Sequence, residues 1–292
     1  MERRYQCRNG VVERTRFCVG DRVLPRSGRR KGGTSARDQE RNLNYAARRL
    51  ARLLNNNFSE EALLITLDYS GSGLEKILEK LTPRQQALIR AAASPVGEIG
   101  DWKAAGKIRK QAVELGEELR IAMDAAIRAA EHQAKLYLRR IGRKIRHKAV
   151  WITADIDGGT GELVRIHHHI PLCPEAGQNV SWDLLRAQWK LGGVNIQRFY
   201  GRDYTPLANY LMRQVRHRPD AKKYSCSRGL EMPQPEERIV LAAHNEIRTP
   251  AGAQVLERQY NEEHVGQYVR YIVRKKGRRE PDGIPEDQRD QR

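Results

Sequence analysis

Leu163-Val164-Arg165-Ile166-His167-His168-His169-Ile170-Pro171-Leu172 is the stretch around which this chain is organised. Apolar residues flank the three histidines, and Gly158, Gly159 and Gly161 open the segment, a pattern that predicts a β-strand. Side chains alternate between the two faces of a strand, so His167 and His169 share one face and His168 takes the other. Two imidazoles one strand period apart make half of a site for a divalent metal. Just upstream, Val150 to Asp155 predicts a second strand, and Asp157-Gly158-Gly159-Thr160-Gly161 a tight turn between the two. Strands joined in this way pair antiparallel, which brings Asp155 or Asp157 towards the histidines. Asp157 reads as an ordinary turn acid. Asp155 reads either as a third ligand or orienting group, or as a second turn acid.

Downstream, Thr205-Pro206 marks the start of a helix that continues Leu207-Ala208-Asn209-Tyr210-Leu211-Met212-Arg213-Gln214. Tyr210 and Arg213 are three residues apart and share a face of it. A tyrosine beside a cation, with a metal half-site elsewhere in the chain, suggests attack on a phosphodiester. A phenol with its ordinary pKa near 10 is a poor nucleophile alone. A metal on a non-bridging phosphate oxygen stabilises the charge that develops. Arg213 can hold the tyrosine oxygen or the phosphate, but a guanidinium cannot serve as a base.

Around these two motifs the rest of the chain falls into place. Residues 38–56 predict an amphipathic helix, with Leu43, Ala46, Ala47, Leu50, Leu53 and Leu54 at three- and four-residue spacing and Asn55-Asn56-Asn57 as its stop. Ala62 to Tyr69 predicts a buried strand. Residues 74–147 are mostly helical, with Thr82-Pro83 as one helix start and a long helix from about Trp102 to Lys148. Ser181 to Leu191 predicts a helix and Val194 to Phe199 a strand. Ile239 to Lys276 predicts strands with one helix around Val255–Glu263, and the tail from Arg278 is too rich in Pro, Gly and charge to order itself. At the other end, Val11 to Val23 predicts two short strands behind an Asn9-Gly10 turn. Trp151, Trp182 and Trp189 read as core residues.

The 292 residues suffice for one large domain or two smaller ones. Lys and Arg number 54 against 36 Asp and Glu, a net charge of +18 that points to nucleic acid first and an anionic membrane second. Residues 1–60 hold 15 of these cations and 6 of the acids, half of the excess. Arg29, Arg30 and Lys31, in a basic arm, and Arg139, Arg140 and Lys144, at the end of the long helix, are the candidate phosphate contacts. No apolar run approaches the roughly 20 residues of a membrane span, and Met1-Glu2-Arg3-Arg4 leads into no apolar segment. Both favour a cytoplasmic protein with no membrane partner. Cys7, Cys18, Cys173 and Cys226 form no C-x-x-C pair and read as reduced and structural.

At the motifs quoted, the sequence resembles the HUH endonucleases, named for a His-hydrophobic-His motif, and among them the rolling-circle replication initiators of phages and plasmids. Asn42 through Phe58 resembles the helix and Asn-Phe pair before the family's first motif, and Ile65-Thr66-Leu67-Asp68-Tyr69 that motif itself. Arg165 to Ile170 resembles the metal motif, Leu207 to Gln214 the nucleophile motif Tyr-x-x-Lys, and Lys223 through Pro233 a segment that follows it. The match covers residues 36–235 except much of 74–130.

This resemblance implies an α+β fold with an HUH, ferredoxin-like core. Its sheet is mainly antiparallel, of about five strands, with helices on one face, the histidine strand central and the first-motif strand its neighbour. The domains expected are a basic N-terminal arm (1–35), a catalytic domain (36–235) with a helical insertion (about 74–130), a strand-rich extension (236–277) and a disordered tail (278–292). The implied site has Tyr210 as nucleophile, Arg213 beside it, and Mg2+ or Mn2+ on His167, His169 and Asp155. The implied reaction is site-specific nicking of single-stranded DNA or an origin hairpin. It takes place in a bacterial host, for a phage, plasmid or prophage, with host helicase and polymerase as further partners. The family has Lys where this chain has Arg213, which keeps the charge but cannot exchange a proton. Tyr204 is off the Tyr210 face, so a single nucleophile is expected. Three alternatives stay open: a relaxase or single-strand transposase with the same chemistry, a non-catalytic DNA-binding protein, and an RNA-binding protein.

Overall fold

The histidine segment is the middle strand of a five-stranded antiparallel sheet. The structure is a computed structural model, and it describes residues 1–18, 36–93, 117–156, 163–178, 180–215, 222–241, 246–261 and 266–273. In chain order the described elements are β1 (Glu2–Gln6), β2 (Val11–Arg16), α1 (Ala36–Asn57), β3 (Leu63–Asp68), α2 (Gly71–Leu78), α3 (Pro83–Ala93), α4 (Glu117–Gly142), β4 (His147–Ile156), β5 (Leu163–Pro174), α5 (Trp182–Ala187), β6 (Val194–Arg198), α6 (Thr205–Arg213), β7 (Ser225–Cys226), β8 (Glu236–Arg238), β9 (Ala253–Asn261) and β10 (Gly266–Val273). They form two compact units, one of Cys7–Asn9 and Val23–Pro233, the other of Met1–Gln6, Gly10–Arg22 and Gln234–Arg292. Sheet and helix together make the α+β class that the sequence predicts. None of the described helices is long and apolar enough to cross a membrane.

In the larger unit the strand order is β6-β3-β5-β4-β7, so β5 is central and β3 its neighbour. Helices cover both faces of this sheet, where one covered face was expected. On one side Ile65, Leu67, Ile166, Ile170 and Leu172 pack with Ile127, Tyr137 and Ile141 of α4 and with Leu74 and Ile77 of α2. On the other, Val150, Ile152 and Cys173 pack with Leu43, Leu50 and Leu54 of α1 and Leu211 and Met212 of α6. The physical reason is in the strands: Ala149-Val150-Trp151-Ile152 is apolar without interruption, the mark of a strand buried on both faces.

Helix ends follow local chemistry. Thr82 and Gln85 form a reciprocal capping box before α3, Gln85 N–H donating to Thr82 Oγ1 (3.3 Å) and Thr82 N–H to Gln85 Oε1 (3.1 Å). At α6 the cap comes from Asp203, whose Oδ1 accepts from Thr205 N–H (3.0 Å) and Thr205 Oγ1–H (2.6 Å). Asn55, Asn56 and Asn57 lie inside the last turn of α1 rather than beyond it. There Asn55 Oδ1 accepts from Tyr204 N–H (2.9 Å), and Asn56 and Asn57 donate to Glu231 O (2.9 and 2.7 Å). The helix expected at Ser181–Leu191 stops at Ala187. Of the long helix expected from Trp102, residues 117–142 are described as helix, and residues 94–116 lie outside the described set.

The smaller unit revises the outer regions. Its sheet order is β8-β1-β2-β10-β9, so strands from both ends of the chain share one sheet. The first strand is Glu2–Gln6, ahead of the Asn9-Gly10 turn, and Gly10 takes a positive φ of 92° there. Ala253–Asn261, where a helix was expected, is a strand paired along its length with β10. Glu2 is buried at 2% exposure and ion-paired to Arg14 (2.6 Å), Arg16 (2.7 Å) and Arg238 (2.9 Å). Burial by itself raises the Glu2 carboxyl, but the bonds from Arg14 and Arg16 outweigh it and hold the group below its ordinary range. Residues 19–35, with the expected arm contacts Arg29, Arg30 and Lys31, and the tail from residue 274 lie outside the described set.

Candidate functional site

β5 presents its histidines as the alternation requires. His169 stands opposite Thr66 of β3 and Ile152 of β4, and His167 opposite Asp68 and Ala154. Residues directly opposite in an antiparallel pair share a face. One side of the sheet therefore carries Thr66, Asp68, His167 and His169 together, under α1 and α6.

The polar atoms converge at His169. Its Nε2 lies 3.0 Å from His167 Nε2 and 2.8 Å from Gln214 Oε1, and its Nδ1 lies 3.1 Å from Thr66 Oγ1. A ring nitrogen carries one lone pair or one proton, yet here a single nitrogen faces two partners. A divalent cation between them would satisfy both partners at once. Donors about 2.1 Å from an octahedral ion, at right angles to one another, are about 3.0 Å apart, the spacing these atoms show. The donor set therefore fits a divalent metal, held by two imidazoles and an amide oxygen. Burial, assisted by neighbouring His167 and opposed by the Gln214 bond, lowers the His169 pKa to about 3. The ring is then neutral at physiological pH, and a metal on Nε2 would require the tautomer with its proton on Nδ1, donated to Thr66 Oγ1, in place of the Nε2–H bond to Gln214. Thr66, bonded to the far nitrogen, fixes the ring's orientation.

Tyr210 completes this side. Its ring packs edge-on against His169, with centroids 5.6 Å apart, and remains 47% exposed. α6 thus sets an accessible phenol beside a buried imidazole. Arg213 is exposed, and the residue that reaches the histidines is its neighbour Gln214, buried at 4%. Helical spacing explains this: relative to Tyr210, Gln214 lies about 40° around the axis and Arg213 about 60° in the other sense. Tyr204 is buried, stacks on Phe199 at 4.1 Å and donates its hydroxyl to Ser59 O (2.6 Å), which makes it a core residue. Burial, the main cause, raises its phenol well above the ordinary value.

The other expected site residues are distributed differently. Asp155 falls where the β4–β5 register shifts, between Ala154 and Ile156, and its side chain lies outside the described set. The register places Asp68 opposite His167, and its backbone is firmly held. Asp68 N–H donates to Gly193 O (3.0 Å), and Asp68 O accepts from Trp189 Nε1 (2.8 Å). Gly192 makes this approach possible: a Cβ there would sit 2.2 Å from Asp68 O. Arg139 and Arg140 lie in the last turn of α4 and Lys144 just beyond it, and that helix packs on the sheet face opposite His167 and His169. Arg140 donates to Gln188 O (3.1 Å). Among the described residues no group of three His, Cys, Asp or Glu gathers as a metal site; the third donor beside the histidine pair is an amide.

His168 points the other way and is fully buried. Its Nδ1 lies 3.0 Å from Thr153 Oγ1 and its Nε2 2.7 Å from the Tyr69 hydroxyl, which donates to Ala130 O (3.2 Å). One set of directions satisfies all three bonds: Thr153 donates to Nδ1, Nε2–H donates to Tyr69, and Tyr69 to the carbonyl.

No protein-family model, curated protein or solved structure matches this chain.

Proposed function

We propose that the chain is a metal-dependent endonuclease that nicks single-stranded DNA, or an extruded hairpin, at a replication origin, with Tyr210 as nucleophile. One observation carries this reading: His167, His169 and Gln214 aim donor atoms at one another while a half-exposed Tyr210 ring lies against His169. His167, His169 and Gln214 would hold the metal, and Asp68, opposite His167 in the strand register, shares their face of the sheet. The chemistry that Mg2+ or Mn2+ would supply there is stabilisation of the negative charge developing on a non-bridging phosphate oxygen. The remaining chemistry belongs to the side chains. Tyr210 Oη attacks phosphorus, and the bond from phosphorus to the 3′ oxygen breaks. The phenolic proton passes to solvent, and solvent returns one to the leaving oxygen. The product is a 5′-phosphotyrosine and a free 3′-hydroxyl able to prime synthesis. Thr66 keeps the His169 ring in place throughout, and Arg213, exposed on the same helix, is free to contact substrate phosphate. In this reading the excess of positive charge draws DNA to the protein.

The test is a denaturing gel. Protein mixed with end-labelled single strands, the element's own origin included, should give an SDS-resistant band in Mn2+ that chelation removes. The His167→Ala, His169→Ala double variant should give none; cleavage undiminished in that variant contradicts the metal site.

A further inference from the structure

On the helix that packs beside α6, Arg41, Tyr45, Arg48, Arg49 and Arg52 recur at three- and four-residue spacing, while Leu43, Ala47, Leu50 and Leu54 are turned into the core. Tyr45 is 63% exposed on this basic face, and Arg41 and Arg49 are exposed around it. A large aromatic ring left in solvent among arginines adds nothing to the core. A second aromatic lies close by. Tyr224 packs at the edge of the α1–α6 core, and both Arg49 and Tyr45 are near enough to act on its phenol. Tyr224 directly precedes β7, where Ser225 pairs with Trp151, the neighbour of the Ile152 that stands opposite His169. Lys222, two residues earlier, is exposed.

We propose that Tyr45 and Tyr224, with Arg41, Arg49 and Lys222, form a single-strand subsite that stacks bases and holds phosphates on the approach to the histidine site. The occupant is single-stranded nucleic acid because the patch offers what that polymer exposes and a duplex hides. Unstacked bases present π-faces to tyrosine, and the backbone presents its charge to arginine and lysine. This rests on the nucleic-acid reading above.

The test measures binding alone, by fluorescence anisotropy with a labelled mixed-sequence single strand and a duplex of equal length, in chelator so that no cleavage intervenes. Tyr45→Ala should weaken single-strand binding about tenfold and leave duplex binding nearly unchanged, while Tyr45→Phe should bind as the wild type does. Arg49→Gln should weaken binding several-fold and reduce the salt slope by about 0.7. Tyr45 is exposed, so thermal unfolding of these variants should match the wild type. Unchanged single-strand affinity in Tyr45→Ala, an equal loss in Tyr45→Phe, or a matching loss on duplex would each overturn the stacking subsite while leaving the nuclease reading intact. A wild-type protein that binds no single strand would remove both.

Discussion

His168 and His169 are consecutive residues of one strand, both buried, and their surroundings could hardly differ more. Each nitrogen of His168 meets a hydroxyl, and a chain of bonds runs from Thr153 through the ring and Tyr69 to Ala130 O. The rings of Tyr69 and Trp189 close around it edge-on, with centroids 5.5 and 6.1 Å away. On the other face, His169 shares one nitrogen between a second imidazole and an amide. Burial alone therefore does not separate the two rings. Hydrogen-bond bookkeeping does: at His168 every direction closes and the ring staples strands together, whereas at His169 two partners share one nitrogen, the feature on which the metal proposal rests.

The largest effect expected is at the proposed nucleophile. Tyr210→Phe keeps the ring against His169 and removes only the hydroxyl, so adduct formation should fall by on the order of 10³-fold or more while DNA binding persists. A retained adduct would assign the chemistry to another residue. Next comes the histidine contrast itself. His169→Ala should lower Mn2+ affinity more than about a hundredfold. His168→Ala should leave that affinity nearly unchanged and cost about 2–4 kcal/mol of folding stability, because Tyr69 and Thr153 lose their partner. Calorimetry and urea unfolding on the pair read both quantities, and equal losses of metal affinity would erase the distinction.

A pH series sharpens it. Burial lowers the His169 pKa to about 3, whereas the unfolded ring titrates near 6.5. Such a group gives its full stabilisation above the unfolded value and loses it as pH falls towards the folded one. Metal-free protein should therefore lose about 2 kcal/mol from this residue between pH 7 and pH 5, a component absent from His169→Gln. The same slope in that variant would place the titration elsewhere. The smallest effect is at Gln214. Replacement by Ala should weaken the metal about 10- to 100-fold, and replacement by Glu, which keeps an oxygen in place, should weaken it less.

Much of the larger unit was legible because its signals are local. The period of the apolar residues in α1, the Thr82-Pro83 start of α3 and the alternation of His167, His168 and His169 all depend on neighbours in sequence. Gln214 was not legible as a donor. A glutamine among apolar helix residues carries no chemical flag, although its four-residue spacing from Tyr210 places it on the same face more squarely than Arg213. Asp68 escaped for a different reason: its place opposite His167 is set by pairing between strands about 100 residues apart. β1 was hidden by its composition. Glu2-Arg3-Arg4-Tyr5-Gln6 looks like a solvated arm until Glu2 meets Arg14, Arg16 and Arg238 from neighbouring strands. β9 was hidden by its spacing, since Val255, Leu256 and Tyr260 also suit a helix, and pairing with β10 decides the matter.

The most direct test is a crystal of the whole chain soaked in Mn2+, examined by anomalous scattering. The expected result is one peak about 2.2 Å from His167 Nε2, His169 Nε2 and Gln214 Oε1, with nothing beside His168. A fully soaked crystal with no peak among those atoms, and the His169–Gln214 bond unbroken, would contradict the metal site on which the proposed chemistry depends.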